Sequence, residues 1–270
     1  MRRPSPNSWI LHSIRLVLPP LLFFLLILGI WQGAVLWFDL PIYLLPGPGR
    51  VVVEAAADFS TIADAMRRTA AAAVCGFLAS LLVGTLIGFI FSQSAMIRSS
   101  CYPYAIFLQT VPIVAIAPLI ITWFDYGFHS VVIVAFIISL FPIITNATTG
   151  MLGVDPLMLD LFQMYDASRW QVLVKLRLPS SVPYLVAAAK TSSGLAVVGA
   201  IVGEFFVGAG VDRFGLGFLI RQKLEQLRTA ELFAAVIAST VLGVIIFATV
   251  SLIGSKVLTR WYQPSVTNDH

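Results

Sequence analysis

The polar residues of this chain that could do chemistry stand inside stretches that are otherwise apolar. Gln109, Thr110 and Pro112 lie in one such stretch, Asn146 in a second, and Lys190, Ser193 and Glu204 in a third. A charged side chain at the centre of a bilayer costs about 2.5–3.5 kcal/mol on insertion scales, so groups of this kind face a cavity or find a partner. They are therefore the candidates for lining a path or forming a gate. Hydrogen bonding between helices is the other common use of an amide or hydroxyl in such a place. Lys190 is close enough to the end of its stretch to reach the boundary, and Glu204, near the far end of the same stretch, suits a helix-end contact as well as a gate. Pro112 and Pro142 are expected to kink their helices.

A second group of polar residues is gathered in one island, residues 155–183, between two long apolar runs. Asp155-Pro156 reads as a helix start, with Asp free to cap and Pro suited to the first turn. Leu157, Leu161 and Met164 follow at helical spacing and give that helix an apolar face. Asp166-Ala167-Ser168 reads as a second start, with Asp166 able to cap the short helix, and Leu178-Pro179 as a stop. Arg169 and Trp170 on that helix are residue types favoured as anchors at protein interfaces. An amphipathic helix lying on a membrane surface is the competing use of such a segment.

The composition dictates what must position these residues. Hydrophobic residues make up 59% of the 270 and charged residues 11%, with a mean hydropathy of +0.92. That is outside the range of soluble domains. A bilayer-crossing helix needs about 20 mostly apolar residues, and six runs qualify: 16–38, 69–91, 102–124, 131–149, 182–207 and 232–258. The first is too long for the apolar region of a secretory signal and lacks a small-residue cleavage site. The fold class is therefore all-α and membrane-embedded. Residues 1–44 form an N-terminal segment and the first membrane helix, with a softening at Pro19-Pro20. Residues 45–68 form an external loop with a short helix over 54–66, ending at Arg67-Arg68. Residues 69–258 form the transmembrane core, which contains the 155–183 island, and residues 259–270 are a tail. In the second run, Gly84 and Gly88 suit close helix packing.

Six crossings place both ends of the chain on one side. With that side cytoplasmic, Arg2, Arg3, Arg15, Arg98, Arg169, Lys175, Arg177, Lys256 and Arg260 lie inside, against Arg50, Arg67, Arg68, Arg213, Arg221, Lys223 and Arg228 outside. The bias agrees with the positive-inside rule. The net charge of +4 is spread along the chain without the basic patch that nucleic-acid binding needs. Cys75 and Cys101 lack metal-ligand spacing and are expected to be small core residues. His12, His129 and His270 are scattered, with His129 expected in a solvated loop, so neither a catalytic set nor a metal set is assigned. The chain has no G-x-x-x-x-G-K-[ST] phosphate cradle, so no ATP-hydrolysing site is assigned to it.

At Leu176-x-Leu178-Pro179 the chain resembles the permease subunits of bacterial binding-protein-dependent ABC importers. Their loop carries E-A-A, three residues, Gly, nine residues, then I-x-L-P. Asp166 stands at the Gly position, and the triplet falls on Asp160-Leu161-Phe162, where only the acid keeps its character. The nitrate/taurine/alkanesulfonate-type branch is the most similar, through Ala167-Ser168-Arg169-Trp170-Gln171, PIVAIAPL from Pro112, GAIVGEF from Gly199, GLGFLI from Gly215 and Leu45-Pro46-x-Pro48.

The resemblance implies a type I importer fold in the bacterial inner membrane. Two permeases, expected to be a homodimer, form the pore, two ATP-binding subunits hold ATP and Mg, and an extracytoplasmic binding protein delivers the solute. This chain itself binds no cofactor in that picture. Asp160, Asp166, Ala167, Ser168, Arg169, Trp170, Leu178 and Pro179 fall in the loop that couples to the ATPase, and Asp166 adds a charge there that a basic or donor group of the ATPase would meet. The solutes implied are nitrate, bicarbonate, sulfonates or vitamin-precursor pyrimidines. The alternative is an ion-gradient-driven secondary transporter, which usually carries an internal repeat.

Overall fold

The computed structural model describes residues 6–207 and 215–261, with side chains over 18–207 and 215–260. Arg2, Arg3, Arg213, His270 and most of the tail lie outside the described residues, as do the side chains of His12 and Arg15. Among the described residues all regular structure is helical: α1 Pro6–Trp37, α2 Pro48–Ala57, α3 Phe59–Gln93, α4 Ala95–Thr110, α5 Ile113–Phe124, α6 Phe128–Leu152, α7 Pro156–Met164, α8 Arg169–Val172, α9 Leu178–Val207, α10 Leu216–Glu225 and α11 Thr229–Trp261. Five are long and apolar enough to cross a membrane, and α4 with α5 makes a sixth crossing if the bent pair counts as one.

The third crossing is not the single helix expected over 102–124. It breaks after Thr110 and turns by 99° into α5. Pro112 is the physical reason: it has no N–H to donate, and its ring drives the preceding residue out of the helical region. Val111 is accordingly extended, at φ −71° and ψ 125°. Pro142, Pro19 and Pro20 by contrast sit inside α6 and α1, which run through them.

Other boundaries move for equally local reasons. The short helix expected over 54–66 is instead α2, started by Pro48 after Gly47 and closed at Asp58. Arg67 and Arg68 fall inside α3, where Arg67 pairs with Asp64 at 3.2 Å. Leu178-Pro179 does not stop a helix. A π turn over Leu173–Arg177 joins α8 to α9, and the Leu178 N–H reaches back five residues to the Leu173 carbonyl. Placing a wide turn just before Pro179 relieves the clash a proline ring makes with an ordinary helical carbonyl. His129 is in the first turn of α6 rather than in a loop, though exposed. The polar connection before the last crossing contains α10.

The described residues form two compact units. One holds α1, α2 and the Gln222–Ala234 turn. Its buried Lys223 pairs with Asp58 at 3.5 Å and with Glu231, which Arg228 also meets. The Trp31 and Phe233 rings lie 5.6 Å apart, and the Thr229 hydroxyl donates to the Tyr43 carbonyl at 2.6 Å.

The other unit is built on a seam of small residues where α3, α6 and α9 meet. A Cβ added at Gly76 would sit 2.7 Å from the Ala135 Cβ, and one at Gly88 2.5 Å from the Ala147 Cβ. Gly84 meets Ile143, and Gly199 lies against Ala135 and Ile138. With no side chain between them, the helix backbones approach closely and gain dispersion contact, which drives helix association where water does not. At the centre the Ser139 hydroxyl contacts the Ser80 hydroxyl at 2.9 Å, and Ser192 donates to the Ser139 carbonyl at 2.9 Å. Cys75 and Cys101 are exposed, not core residues. The seam uses Gly76 and the alanines instead, and Cys75 faces away from it. None of the described side chains of α1 is buried, and those of α11 are mostly exposed or half-buried. Apolar helices this bare need lipid or other helices around them.

Candidate functional site

Residues 155–177 fold as two short helices, each fixed by its own caps. The Asp155 carboxylate accepts the Leu157 N–H at 2.9 Å, and Pro156 opens α7. At the other end of α7 the Asp166 N–H donates to the Gln163 carbonyl and the Ala167 N–H to the Phe162 carbonyl, both at 3.0 Å. Those two bonds are a Schellman closure, whose middle residue takes a left-handed conformation and is usually glycine. Asp166 holds it, at φ 50°. Asp tolerates this region better than most side chains, which accounts for an aspartate at the Gly position of the motif.

Asp166 therefore does not cap α8 as expected. Ser168 does so: its hydroxyl accepts the Gln171 N–H at 3.3 Å, while the Gln171 side chain accepts the Ser168 N–H at 2.8 Å. This S-x-x-Q box was readable in the sequence; the nearby Asp166 obscured it.

The segment shows its apolar side outward. No residue of α7 is buried, Met164 is 82% exposed and Trp170 66%. Asp160, Ser168 and Arg169 are exposed, Ala167 half-buried. A cavity of about 290 Å³ opens between Leu161, Phe162, Tyr165, Ala167, Gln171 and Lys175. Leu173 is the buried peg. Two contacts tie the segment to the end of α3: the Trp170 ring meets Phe89 edge-on at 6.4 Å, and the Arg177 guanidinium donates to the Ser92 carbonyl. Leu178 and Pro179 begin α9 directly behind it.

Among the described residues, the side-chain hydrogen bonds of Thr110, Asn146 and Ser193 stay within their own helices. Gln109 and Thr110 are exposed at the last turn of α4, beside the break at Pro112, and the Thr110 hydroxyl donates to the Phe107 carbonyl at 2.8 Å. Asn146 donates to the Pro142 carbonyl at 2.8 Å and Ser193 to the Lys190 carbonyl at 2.7 Å, both within their own helices. The half-buried Lys190 would have its side chain 3.6 Å from a Cβ placed on Gly254.

Glu204 is different. It is 7% exposed, and one carboxylate oxygen accepts both the Thr69 hydroxyl of α3 and the Gly217 N–H at the start of α10, each at 2.9 Å. The Thr69 hydroxyl also accepts the Leu216 N–H at 2.9 Å. Two motifs singled out in the sequence, GAIVGEF and GLGFLI, thus meet at one carboxylate. Thr69, 135 residues away, carried no sequence signal of its part. Among the described residues no group of three or more His, Cys, Asp or Glu is placed to hold a metal.

Comparison with known proteins gives these features a context. Residues 76–268 match the family described as binding-protein-dependent transport system inner membrane component. The formylaminopyrimidine transport permease protein ThiX of Halalkalibacterium halodurans is 29% identical over 245 residues, 90% of this chain and 96% of its own. The riboflavin transport system permease protein RibX of Chloroflexus aurantiacus is 30% identical over 88% of this chain and 87% of its own. The nitrate import permease protein NrtB of Leptolyngbya laminosa is 26% identical over 95% and 94%. Among solved structures, a chain of the inward-facing MetNI methionine ABC transporter superposes with a TM-score of 0.56 at 17% identity, covering 75% of this chain and 94% of that one.

Proposed function

The chain belongs to the binding-protein-dependent transport system inner membrane components, a family of transport permeases rather than enzymes, and from that premise we propose that it forms the pore of an ATP-driven importer for a small solute. A separate ATPase, holding ATP and Mg, seats on residues 155–177. An extracytoplasmic binding protein delivers the solute at the other face, and a second copy of the chain completes the pore. The seat and both termini are cytoplasmic in this reading.

The observation that carries it is the exposed apolar face of α7 and α8. Short helices shaped by their own caps, with Met164 and Trp170 uncovered, suit a partner's groove. Their ties to α3 through Phe89 and Ser92 give a displacement of that seat a way into the bundle. Alternating access follows when ATP closes the ATPase pair and the seat moves. The names of the relatives differ in solute, formylaminopyrimidine and riboflavin on one side and nitrate on the other, and the solute read here is a small heteroaromatic molecule or a small anion. The binding protein makes that selection.

Co-purification tests the reading. The chain is expected to come out of the membrane with an ABC ATPase, and proteoliposomes holding both to import solute only with ATP and binding protein. Transport by the chain alone, driven by an ion gradient, would overturn it in favour of a secondary transporter.

A further inference from the structure

The Glu204 contact does more than satisfy a helix end. A carboxylate buried in a membrane helix is costly, and what this one supplies is reach: it sets a single acceptor oxygen between two elements, α3 and the start of α10. The oxygen that receives the Gly217 N–H also receives Thr69 of α3. Gly215 and Gly217 fit closely around this carboxylate. A Cβ on Gly215 would overlap the Glu204 oxygens, and one on Gly217 would overlap the Ile201 carbonyl and lie 2.9 Å from the Glu204 Cβ. Here the absence of a side chain is a steric requirement.

Thr69 belongs to the same helix that the 155–177 segment holds at its other end. From Thr69 to Ser92 α3 runs without an internal proline, about 35 Å at 1.5 Å per residue. Phe89 and Ser92, at its far end, take the Trp170 ring and the Arg177 guanidinium. Between the two ends the glycine seam leaves α3 no slack against α6.

We propose that Glu204 is a positioning residue that makes the start of α10 follow α3, so that α3 carries displacement of the ATPase seat to the opposite end of the bundle. This rests on the function proposed above. Thr69 and Gly215 are parts of the same latch.

The test uses the full complex in liposomes, with Cys75 and Cys101 replaced by alanine and a reporter cysteine at Ile220 of α10. In this parent, ATP is expected to change the thiol modification rate by about fivefold or more, the low end of ordinary allosteric coupling. In Glu204→Ala and in Thr69→Val the response is expected to shrink to within about twofold, while Glu204→Gln, which keeps an acceptor oxygen, retains most of it. Gly215→Ala, whose Cβ would overlap the Glu204 oxygens, is expected to lose the response as Glu204→Ala does. Assembled Glu204→Ala complexes that respond like the parent overturn the proposal. If that variant does not assemble, Thr69→Val decides, and a response like the parent's in it overturns the proposal. A parent complex that assembles no ATPase, or does not respond to ATP, refutes the functional reading itself.

Discussion

The seam of α3, α6 and α9 and the segment 155–177 solve opposite problems with opposite chemistry. The seam holds because nothing intervenes: glycines and alanines bring backbones together, and Ser80, Ser139 and Ser192 bond to one another or to backbone. The segment holds because each short helix closes on itself, through Asp155, Asp166 and the Ser168–Gln171 box. Its larger side chains are left uncovered. One region is finished by its own chain, and the other leaves an apolar face uncovered. In the proposed importer, preforming the segment lowers the ordering cost of seating an ATPase.

That contrast can be broken most forcefully in the seam. Valine at Gly76 or Gly88 forces a side chain into space already filled by Ala135 or Ala147. It is expected to cost about 3 kcal/mol, as overpacking a close contact does, read as a fall in the unfolding temperature of the detergent-purified chain. Asp166→Val is next: a β-branched residue at φ 50° is expected to cost roughly 1–2 kcal/mol in the segment. Asp166→Gly is expected to cost nothing there. Faster amide hydrogen exchange over 156–172 in the valine variant alone would show it. A loss of ATPase capture in the glycine variant would mean that the Asp166 charge matters in its own right. Ser168→Ala removes the capping box and is expected to cost about 1 kcal/mol in α8, visible as faster exchange of the Gln171 amide without a change in global unfolding. The smallest stability effect is expected at Met164→Ala, within about 0.5 kcal/mol as for other exposed sites. If the segment is a seat, that variant still loses ATPase in a pull-down. A fully stable Gly88→Val, or a Met164→Ala that lowers the unfolding temperature, would erase the distinction between the two regions.

The sequence disclosed these regions unequally. Apolar runs mark the crossings because a bilayer tolerates little else over 20 residues, and Asp155-Pro156 marks the start of α7 because both residues have strong positional chemistry. Gly84 and Gly88 announced close packing, though not that α6 was the neighbour. The break at Pro112 was legible as a kink, but its angle depends on what α5 packs against, namely Ala117 and Ile120 on Val134. Pro179 misled because a proline's effect depends on the turn preceding it, and a π turn leaves no mark in residue types. Asp166 was noticed for its charge, while its role comes from φ, a property of the closed helix end. The partnership of Glu204 with Thr69 and Gly217 could not be read at all, since it joins residues 69, 204 and 217 across three helices. Polar groups such as Asn146 and Ser193 resembled path-lining residues in the sequence, and in the structure they bond to their own helices.

Two exposed tryptophans allow the proposed seating of an ATPase on α7 and α8 to be tested with an internal control. Trp170, 66% exposed, lies at the end of the bundle where Gly150 of α6 meets Ser181 of α9. Trp123, 69% exposed, ends α5 at the opposite end, beside the start of α6. A photoreactive amino acid at either position, irradiated in native membranes, would form a covalent adduct with whatever covers it. An ATPase adduct is expected from position 170 and none from position 123. An ATPase adduct from 123, or only lipid adducts from 170, would contradict it.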